Sequence, residues 1–172
     1  MLREISAGGV VIRNRNGAWW TAAIEPAGDT RCAPKLLPSA KPKKKVLALP
    51  KGLVDTGEKA LETAVREVFE ETGVTAEVVA KLADIKYVYT RAWDDGQRVF
   101  KIVSFYLMRY VSGRINVIPP EMRIEVARAR WIRLEEAPKL LAYKGEKEMA
   151  QRAVEYVRAH GELARGEENR SA

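Results

Sequence analysis

The first apolar runs of the chain are short and are interrupted by turn residues. Residues 5–12 (ISAGGVVI) and 19–24 (WWTAAI) are rich in β-branched, aromatic and small side chains, and the RNRNG between them contains an Asn-Gly pair. This order predicts two strands joined as a β-hairpin. The proline- and lysine-rich stretch 26–45 predicts a long surface loop. The apolar run 46–49 (VLAL), which stops at a proline, predicts a buried strand.

The middle and the end of the chain alternate between helical and strand-like periods. Apolar residues three or four positions apart predict a helix with one apolar stripe, which Gly73 would cap: Leu61, Ala64, Val65, Val68 and Phe69. The later pattern predicts three strands and two helices, over residues 76–89, 98–111 and 127–134, and over 135–143 and 146–159. This element order favours the α/β class, with a mixed sheet covered by helices on both faces.

Length and composition are those of one soluble domain. The 172 residues are 47% hydrophobic and 31% charged, and no apolar run approaches the roughly 18 residues that a membrane span needs. We expect a single domain over residues 1–160 and a polar, flexible tail over 161–172. The N-terminal MLREISAGG has no apolar signal-peptide core, so the sequence predicts a cytoplasmic protein that does not bind membranes.

The scarcity of cysteine and histidine narrows the possible chemistry. Cys32 is the only cysteine, so an internal disulfide and a cysteine metal cluster are excluded. His160 is the only histidine, which makes histidine-rich zinc sites and Ser-His-Asp catalysis improbable. Any catalysis should therefore depend on carboxylates. The formal net charge of +7 favours anionic partners such as phosphates, nucleotides or RNA, although a basic solvated surface would have the same charge.

Three glutamates crowd onto the predicted central helix. Glu67, Glu70 and Glu71 stand at i, i+3 and i+4, so their carboxylates share one patch, on the side away from Leu61 and Phe69. Like charges at this spacing repel by a few tenths of a kcal/mol per pair, to an order of magnitude. A hard divalent cation such as Mg²⁺ takes oxygen ligands and would turn this repulsion into attraction. The crowding therefore indicates a metal site.

An ordinary solvated helix face is the alternative explanation of these glutamates. Glutamate favours helices, and Arg66 can pair with Glu62 and Glu70 at i±4. The short stretch REVFEE does not decide between the two explanations, because motifs of this length discriminate loosely.

The residues around the glutamates extend the pattern. Residues 52–74 read GLVDTGEKALETAVREVFEETGV, and at every defined position this stretch resembles the signature of the Nudix (MutT-like) hydrolases, a loop-helix-loop motif that cleaves diphosphates. The SAGGVVI and RWIRLEEAPKLL stretches resemble the opening strand and the strand-to-helix exit of the same family. The resemblance implies an α/β/α sandwich with a mixed central sheet, and a pyrophosphohydrolase that acts on a nucleoside diphosphate linked to another moiety.

The resemblance also implies roles for the residues of the motif. Glu70 and Glu71 would be the principal ligands of Mg²⁺ or Mn²⁺, together with the backbone carbonyl of Lys51, and Glu67 would be a third ligand or the general base. Arg66 would hold the glutamates through charge-assisted hydrogen bonds and would not touch substrate.

Other acids and glycines have expected supporting roles. Glu58 would brace the loop before the helix, and Gly52 and Gly57 would allow the tight backbone path of that loop. Many members of the family take another acidic group from outside the motif, and here Glu125, with Glu121 in reserve, stands where such a residue is often found. Either of these two could equally be a solvated loop acid.

The segments outside the motif bear on the substrate. The LPKG before the helix resembles the diadenosine polyphosphate and diphosphoinositol branches, and Lys51 would place an ammonium beside the polyphosphate. Arg3 stands where some members have a phosphate-binding arginine. The lysine-rich residues 41–45 are compatible with a longer anion, such as an inositol pyrophosphate or an RNA 5′ end, or with a basic loop that touches nothing specific.

Aromatic and basic residues further along are candidates for binding a base. Tyr87 and Tyr89 alternate in a strand, so both could line the cleft or both could lie in the core. Tyr89 is the expected stacking residue, and a core position is favoured for one of the two. Arg91, Trp93 and Arg98 flank a DDG turn and could stack on or clamp the base.

We therefore predict a Mg²⁺-dependent pyrophosphohydrolase that acts first on diadenosine polyphosphates, with nucleoside triphosphates next. The alternatives are hydrolysis of RNA 5′ ends or of diphosphoinositol polyphosphates. A non-catalytic nucleotide- or RNA-binding module is a further alternative, which the intact glutamates disfavour. ADP-ribose is also disfavoured, because residues 75–95 lack the proline typical of that branch. The sequence does not predict the oligomeric state.

Overall fold

The strands and helices follow the predicted order. The structure, a computed structural model, describes residues 1–27, 45–91 and 96–165, the last four of them by backbone alone. Its elements are β1 (Leu2–Arg15), β2 (Ala18–Pro26), β3 (Lys51–Leu53), α1 (Ala60–Thr72), β4 (Val74–Thr90), β5 (Arg98–Gly113), a short 3-10 helix (Pro120–Ile124), β6 (Val126–Arg133), α2 (Ala137–Leu140) and α3 (Lys144–Arg165).

The strands form one mixed sheet. Their order is β4-β5-β1-β2-β6, and β3 pairs with β1 beside β2. β1 and β5 are parallel, and the other pairs are antiparallel. The hairpin predicted from the Asn-Gly turn is confirmed by the pairing of β1 with β2, and both turn residues have positive φ, 53° at Asn16 and 80° at Gly17.

Helices cover both faces of the sheet, as predicted. Successive side chains of a strand point to opposite faces. On β1, Val11 packs in one apolar cluster with Ala64 and Val68 of α1. Its neighbours Val10 and Ile12 pack in a second cluster, which contains Met149, Ala150 and Ala153 of α3. The α/β/α arrangement is therefore confirmed. No described helix combines the length and the apolar character needed to cross a membrane.

The strand predicted over residues 46–49 is wrong. Leu47, Ala48 and Leu49 are buried, but their backbone makes only an isolated bridge between Ala48 and Ile24, with hydrogen bonds of 2.8 and 2.9 Å. The regular pairing begins two residues later, in β3. The apolar residues of this segment predicted its burial correctly but not its conformation. The segment is buried because it lies between β1 and β2 where the two strands no longer pair.

The predicted apolar stripe of α1 is also partly wrong. Leu61 and Phe69 are 44% and 48% exposed. The buried face of the helix instead runs through Thr63, Ala64, Glu67, Val68, Glu71 and Thr72. The glutamates therefore do not lie opposite the core but at its edge, because the loop before the helix closes over them. At the other end of the chain, α3 continues to Arg165 with a non-helical residue at His160, beyond the predicted end of the helix.

Candidate active site

The carboxylate-bearing helix is fixed at both ends. At its start the Lys59 N–H donates to the Glu62 carboxylate (3.0 Å), which satisfies one free amide of the first turn. At its end Gly73 takes the left-handed conformation (φ 80°), and its N–H donates to the Phe69 carbonyl (2.8 Å). The glutamates between these caps therefore project from a rigid element.

Two of the three glutamates are buried although they are charged groups. Glu67 and Glu71 are 7% and 5% exposed. Burial, with the charge of Glu67 adding to it, raises the pKa of Glu71 to about 8, against the opposing hydrogen bond from the Lys51 N–H. Burial also raises the pKa of Glu67, and the charge of Glu70 adds to that increase. The protein holds these carboxylates together against both desolvation and repulsion, which an ordinary solvated helix face does not do.

Arg66 lies at the centre of the cluster and connects its parts. Its Nη1 donates to Glu67 Oε1 (2.8 Å) and to Glu70 Oε2 (3.0 Å). Its Nε and Nη2 donate to the two oxygens of Glu58 (2.9 and 3.0 Å), and Nη2 also donates to the Leu53 carbonyl (3.1 Å). One guanidinium thus sets the spacing between the loop and two of the glutamates. The geometry matches the positioning role expected for Arg66.

Glu58 forms the loop side of this arrangement. It accepts hydrogen bonds from the Thr63 hydroxyl (2.5 Å) and the Asp55 N–H (3.3 Å) besides those from Arg66. The hydrogen bonds from Arg66 and then from Thr63 lower its pKa to about 2. Glu58 therefore stays ionised at any physiological pH and braces the loop against the helix.

The loop approaches the helix most closely at Gly52. A Cβ added at this residue would lie 2.1 Å from the carboxyl carbon of Glu67, far inside van der Waals contact. A hydrogen in place of a side chain is therefore required at this position. Gly57 has a different reason: its φ is 82°, and a Cβ there would meet nothing within 4 Å.

Substitution of Gly52 by alanine is expected to displace Glu67 and to destabilise the fold by about 1–3 kcal/mol. Thermal melting would measure the loss, and turnover should fall with it, because the displaced carboxylate also loses its Arg66 contact. Gly17→Ala is the control for a loss of stability alone. Gly17 has a positive φ of 80°, which Gly52 lacks, and a Cβ there would meet nothing within 4 Å, so the change should cost stability through backbone strain without loss of turnover per folded molecule. Equal turnover in the two variants would contradict the assigned contact.

Lys51 contacts groups on both sides of the sheet. Its backbone N–H donates to Glu71 Oε2 (2.9 Å), on the α1 side. Its side-chain Nζ lies 3.2 Å from Glu146 Oε1 at the start of α3. Burial alone would lower the pKa of Lys51, but the charge of Glu146 and its hydrogen bond outweigh burial, so the net pKa is raised. Lys51 is therefore an ammonium held beside the carboxylate cluster.

Glu146 is a site residue that the sequence analysis missed. It is 3% exposed, and its Oε2 accepts the Leu49 N–H at 3.0 Å. Burial raises its pKa, and Lys51 opposes that increase. One signal was available: Glu146 lies three and four residues before Met149 and Ala150, which belong to the buried face of α3. A carboxylate on an apolar helix face needs a partner, and here Lys51 is that partner.

A cavity of about 640 Å³ opens on the α3 side of Lys51. Its polar and aromatic walls come from Lys51, Tyr87, Lys101, Tyr143 and Glu146, and its apolar walls include Val103 and Phe105. Lys101 was not singled out from the sequence. It lies opposite Tyr87 in the β4–β5 ladder, so both side chains reach this face of the sheet.

The predicted base-binding residues divide between the cavity and its surroundings. Tyr87 lines the cavity, whereas the Tyr89 hydroxyl donates to Glu4 Oε2 (2.8 Å) and Arg91 pairs with Glu4 Oε1 (2.5 Å). The two tyrosine rings lie 6.3 Å apart, and neither residue is buried, so a core position holds for neither. The structure thus places Tyr87, and not Tyr89, in the cavity wall.

The other predicted substrate-binding positions lie away from the cavity or outside the described residues. Arg3 and Arg98 are exposed, and neither lines the cavity. Trp93 and residues 41–44 lie outside the described residues. Lys45, at the end of the basic stretch, has an exposed side chain whose Nζ is 3.9 Å from the mostly covered carboxylate of Glu25.

Glu125 faces the carboxylate cluster. It follows the short 3-10 helix, and its side chain is exposed. Its charge contributes to the raised pKa values of both Glu67 and Glu71, whereas Glu121 is not among the main contributors to either. Of the two acids considered outside the motif, Glu125 is therefore the one whose charge reaches the carboxylate cluster.

The donor set fits a hard divalent cation. It consists of carboxylate oxygens. Burial and neighbouring negative charge raise the pKa values of the two buried carboxyl groups, Glu67 and Glu71, and a bound cation would relieve that charge. As placed, no three acidic, histidine or cysteine side chains in the described parts of the chain surround a common point. Hydrogen bonds from Arg66 and from the Lys51 N–H hold oxygens of all three α1 glutamates.

Comparisons with known proteins agree with this geometry. Residues 4–153 match the NUDIX domain family. The chain is 36% identical over 156 residues to a protein named MutT4 from Mycobacterium tuberculosis; the match covers 91% of this chain and 56% of that protein. It is also 29% identical over 89 residues to the NAD-capped RNA hydrolase NudC of Escherichia coli, which is 52% of this chain and 30% of NudC.

Solved structures show the same fold at low sequence identity. An Ap4A hydrolase from C. elegans superposes with a TM-score of 0.63 at 20% identity, covering 91% of this chain and 98% of that one. A MutT NUDIX hydrolase from Burkholderia pseudomallei gives a TM-score of 0.60 at 18% identity, covering 88% and 98%. The chain therefore belongs to the NUDIX domain family, and its fold is that of the Nudix hydrolases.

Proposed function

We propose that this chain is a pyrophosphohydrolase that depends on a divalent cation and cleaves a phosphoanhydride bond in a nucleotide. One observation carries the proposal: the buried Glu67 and Glu71 lie within the charge field of Glu70 and Glu125, and Lys51, whose N–H binds Glu71, contributes its ammonium group to the wall of a cavity. Carboxylates crowded in this way are suited to a metal, and the ammonium is suited to a phosphate chain.

The residues divide the chemistry between them. Mg²⁺ or Mn²⁺ bound by Glu67, Glu70 and Glu71, with the Lys51 carbonyl and Glu125 as further oxygen donors, would neutralise the phosphate oxygens and favour attack by water. Glu67, whose pKa is raised, is suited to accept the proton of that water if it is not itself a ligand. Arg66 holds the carboxylates of Glu67 and Glu70 in position through its hydrogen bonds, and we propose no contact between Arg66 and the substrate.

The cavity supports a nucleotide as the substrate. Its volume of about 640 Å³ lies in the range typical of small-molecule sites. Tyr87 and Tyr143 provide aromatic walls against which a base can stack, and Lys51 and Lys101 provide positive charge for phosphates. We propose diadenosine polyphosphates as the first substrate class and nucleoside triphosphates as the second. The fold shared with an Ap4A hydrolase and the similarity to MutT4 are consistent with this order.

RNA 5′ ends are a second candidate substrate. The similarity to NudC, an NAD-capped RNA hydrolase, favours them, although this chain covers only 30% of that protein. The same carboxylates would then act on the phosphoanhydride of a capped or triphosphorylated 5′ end.

Chromatography of reaction products tests the proposal. The purified protein would be incubated with Mg²⁺ or Mn²⁺ and separately with diadenosine tetraphosphate, nucleoside triphosphates, ADP-ribose, and triphosphorylated and NAD-capped RNA. We expect one class to be cleaved at a phosphoanhydride, and we expect cleavage to stop when the cation is chelated. If no compound turned over while the protein still bound the cation, hydrolysis would be rejected in favour of a binding function.

A further inference from the structure

A second surface, remote from the cavity, combines arginines with aromatic rings. We define the arginine–tryptophan surface as Arg13, Arg15, Trp20, Tyr110, Trp131 and Arg133. From its geometry we infer that it binds single-stranded nucleic acid.

Strand register brings these side chains to one face of the sheet. Arg13 of β1 lies opposite Trp20 of β2, and Trp20 lies opposite Arg133 of β6. Residues directly opposite one another share a face, so the three form a row across the sheet. Trp131 is two residues before Arg133 on β6 and lies on the same face. Its ring packs with Tyr110 at 5.8 Å, edge to face.

The arginines lie over the rings. The Arg13 guanidinium lies 4.0 Å from the centre of the Tyr110 ring and 5.6 Å from that of Trp131. The Arg133 guanidinium lies 5.4 Å from the Trp20 ring. Between Arg13, Arg15, Trp20 and Trp131 there is a shallow notch of about 90 Å³. Guanidinium and aromatic groups beside a notch are planar groups on which a base can stack.

No acid among the described residues neutralises the three arginines of this surface. Arg109 pairs with Glu77 (2.6 Å), and Arg130 lies near Glu25 (3.6 Å). By contrast, Arg13, Arg15 and Arg133 make no ion pair with any carboxylate in the described residues; the contacts of Arg13 and Arg133 are with rings. Part of the chain's net charge of +7 is thus concentrated here. Unpaired arginine interleaved with aromatic rings is the combination that single-stranded nucleic acids bind, through phosphate contacts and stacked bases.

The position of the surface suits a strand whose end reaches the carboxylates. Tyr110 and Trp131 pack against the cluster that contains Ala64 and Val68 of α1, so the surface and α1 share a face of the sheet. Gly52, which approaches Glu67, lies opposite Ala7 of β1. Arg13 is six residues further along that strand, or roughly 20 Å. A bound strand could therefore lie across the surface with one end near α1, but the inference does not require that this end be hydrolysed.

Binding to an oligoribonucleotide with a 5′-hydroxyl tests the inference independently of hydrolysis, because such an RNA has no phosphoanhydride. Fluorescence anisotropy would measure Kd for a labelled 12-nucleotide RNA over a range of salt concentrations. The variant with both Arg13→Gln and Arg133→Gln is compared with a variant of equal charge change on α3, Arg152→Gln with Arg158→Gln. We expect the first pair to weaken binding about tenfold or more and to reduce the salt slope by about 1.4, and the second pair to change Kd little.

A third variant separates stacking from charge. Trp20→Ala should weaken binding without altering the salt slope, and RNA should quench less of the protein's tryptophan fluorescence in this variant than in the wild type. Thermal melting checks that each variant is folded, and turnover of a small nucleotide should be unchanged in all of them.

Three results would overturn the inference. The first is that the wild type does not bind the RNA, and the second is that the α3 pair weakens binding as much as the surface pair. The third is a dimer in sedimentation that the Arg13 and Arg133 changes dissolve, without RNA binding, which would assign the surface to self-association.

Discussion

Glu71→Gln is expected to lower kcat on the order of 10³-fold and, in the same protein, to raise the melting temperature measured without metal at pH 8. The loss of turnover follows from removing a charged ligand, since metal-assisted charge stabilisation contributes several kcal/mol and each 1.36 kcal/mol is about tenfold in rate. The gain in stability follows from burial. Glutamine has the shape of glutamate and can still accept a hydrogen bond from the Lys51 N–H, but its burial does not require the desolvation of a charge.

The pH dependence of stability follows from the sign of the Glu71 shift. Its folded-state pKa, about 8, lies above its ordinary value of 4.5, so the folded protein holds this proton more tightly than the unfolded chain does. The stabilisation is complete below about pH 4.5 and is lost as the pH rises through about 8. Melting curves of the metal-free wild type should therefore show a decline across this range that is smaller in the Gln variant, where the raised pKa values of Glu67 and Glu146 remain.

Added cation gives a readout that is independent of turnover. Mg²⁺ or Mn²⁺ should raise the melting temperature of the wild type at pH 8 and have much less effect on Glu71→Gln. Glu62→Gln is the matched control on the same helix. Its side chain is exposed, and glutamine can still serve in the capping box. If Glu71→Gln kept wild-type turnover, the assigned role of this carboxylate would be wrong.

Glu146→Ala is expected to destabilise the protein by about 3 kcal/mol or more. The change leaves the partly buried Lys51 ammonium without its partner and removes the acceptor of the Leu49 N–H. Glu148→Ala, at an exposed position on the same helix, should change stability by only a few tenths of a kcal/mol. Chemical denaturation of the two variants would measure the difference, and a loss of similar size in both would show that the buried pair has no special weight.

A double replacement separates stability from function at this pair. Lys51→Met with Glu146→Met removes both charges and should recover most of the stability lost in Glu146→Ala, because the ammonium is no longer left without a partner. Binding of a polyphosphate should remain weak in the double variant, since its cavity lacks the Lys51 charge. Recovery of substrate affinity together with stability would remove Lys51 from the binding site.

The sequence predicted those parts of the site that follow from local order. One segment contains the helix, its Gly73 cap and the spacing of Glu67, Glu70 and Glu71. The helical period and the motif were therefore enough to predict them. Gly52 and Glu58 belong to the same stretch. In the fold, the hairpin was likewise predictable from the Asn-Gly turn between two strand-like runs, and the two helical layers were predictable from the order of the elements.

The parts that the sequence did not predict depend on contacts between distant segments. Lys51 and Glu146 are in contact but far apart in the sequence, and the residues that flank each of them do not identify the other as its partner. Which of Tyr87 and Tyr89 lines the cavity depends on Glu4, near the N-terminus of the chain. Its carboxylate accepts the Tyr89 hydroxyl and so holds Tyr89 away from the cavity wall. The exposed Leu61 and Phe69 also could not be predicted. A helical period shows which residues share an apolar face, but it does not show which edge of that face other segments cover.

The double attachment of Lys51 has a thermodynamic consequence. Its N–H holds the carboxylate expected to bind the cation, while its ammonium lines the cavity expected to bind the anion. A ligand that shifts this one residue acts on both sites at once. Thermodynamic linkage then requires the effect to be mutual. If bound nucleotide changes the affinity for the cation by some factor, bound cation changes the affinity for the nucleotide by the same factor.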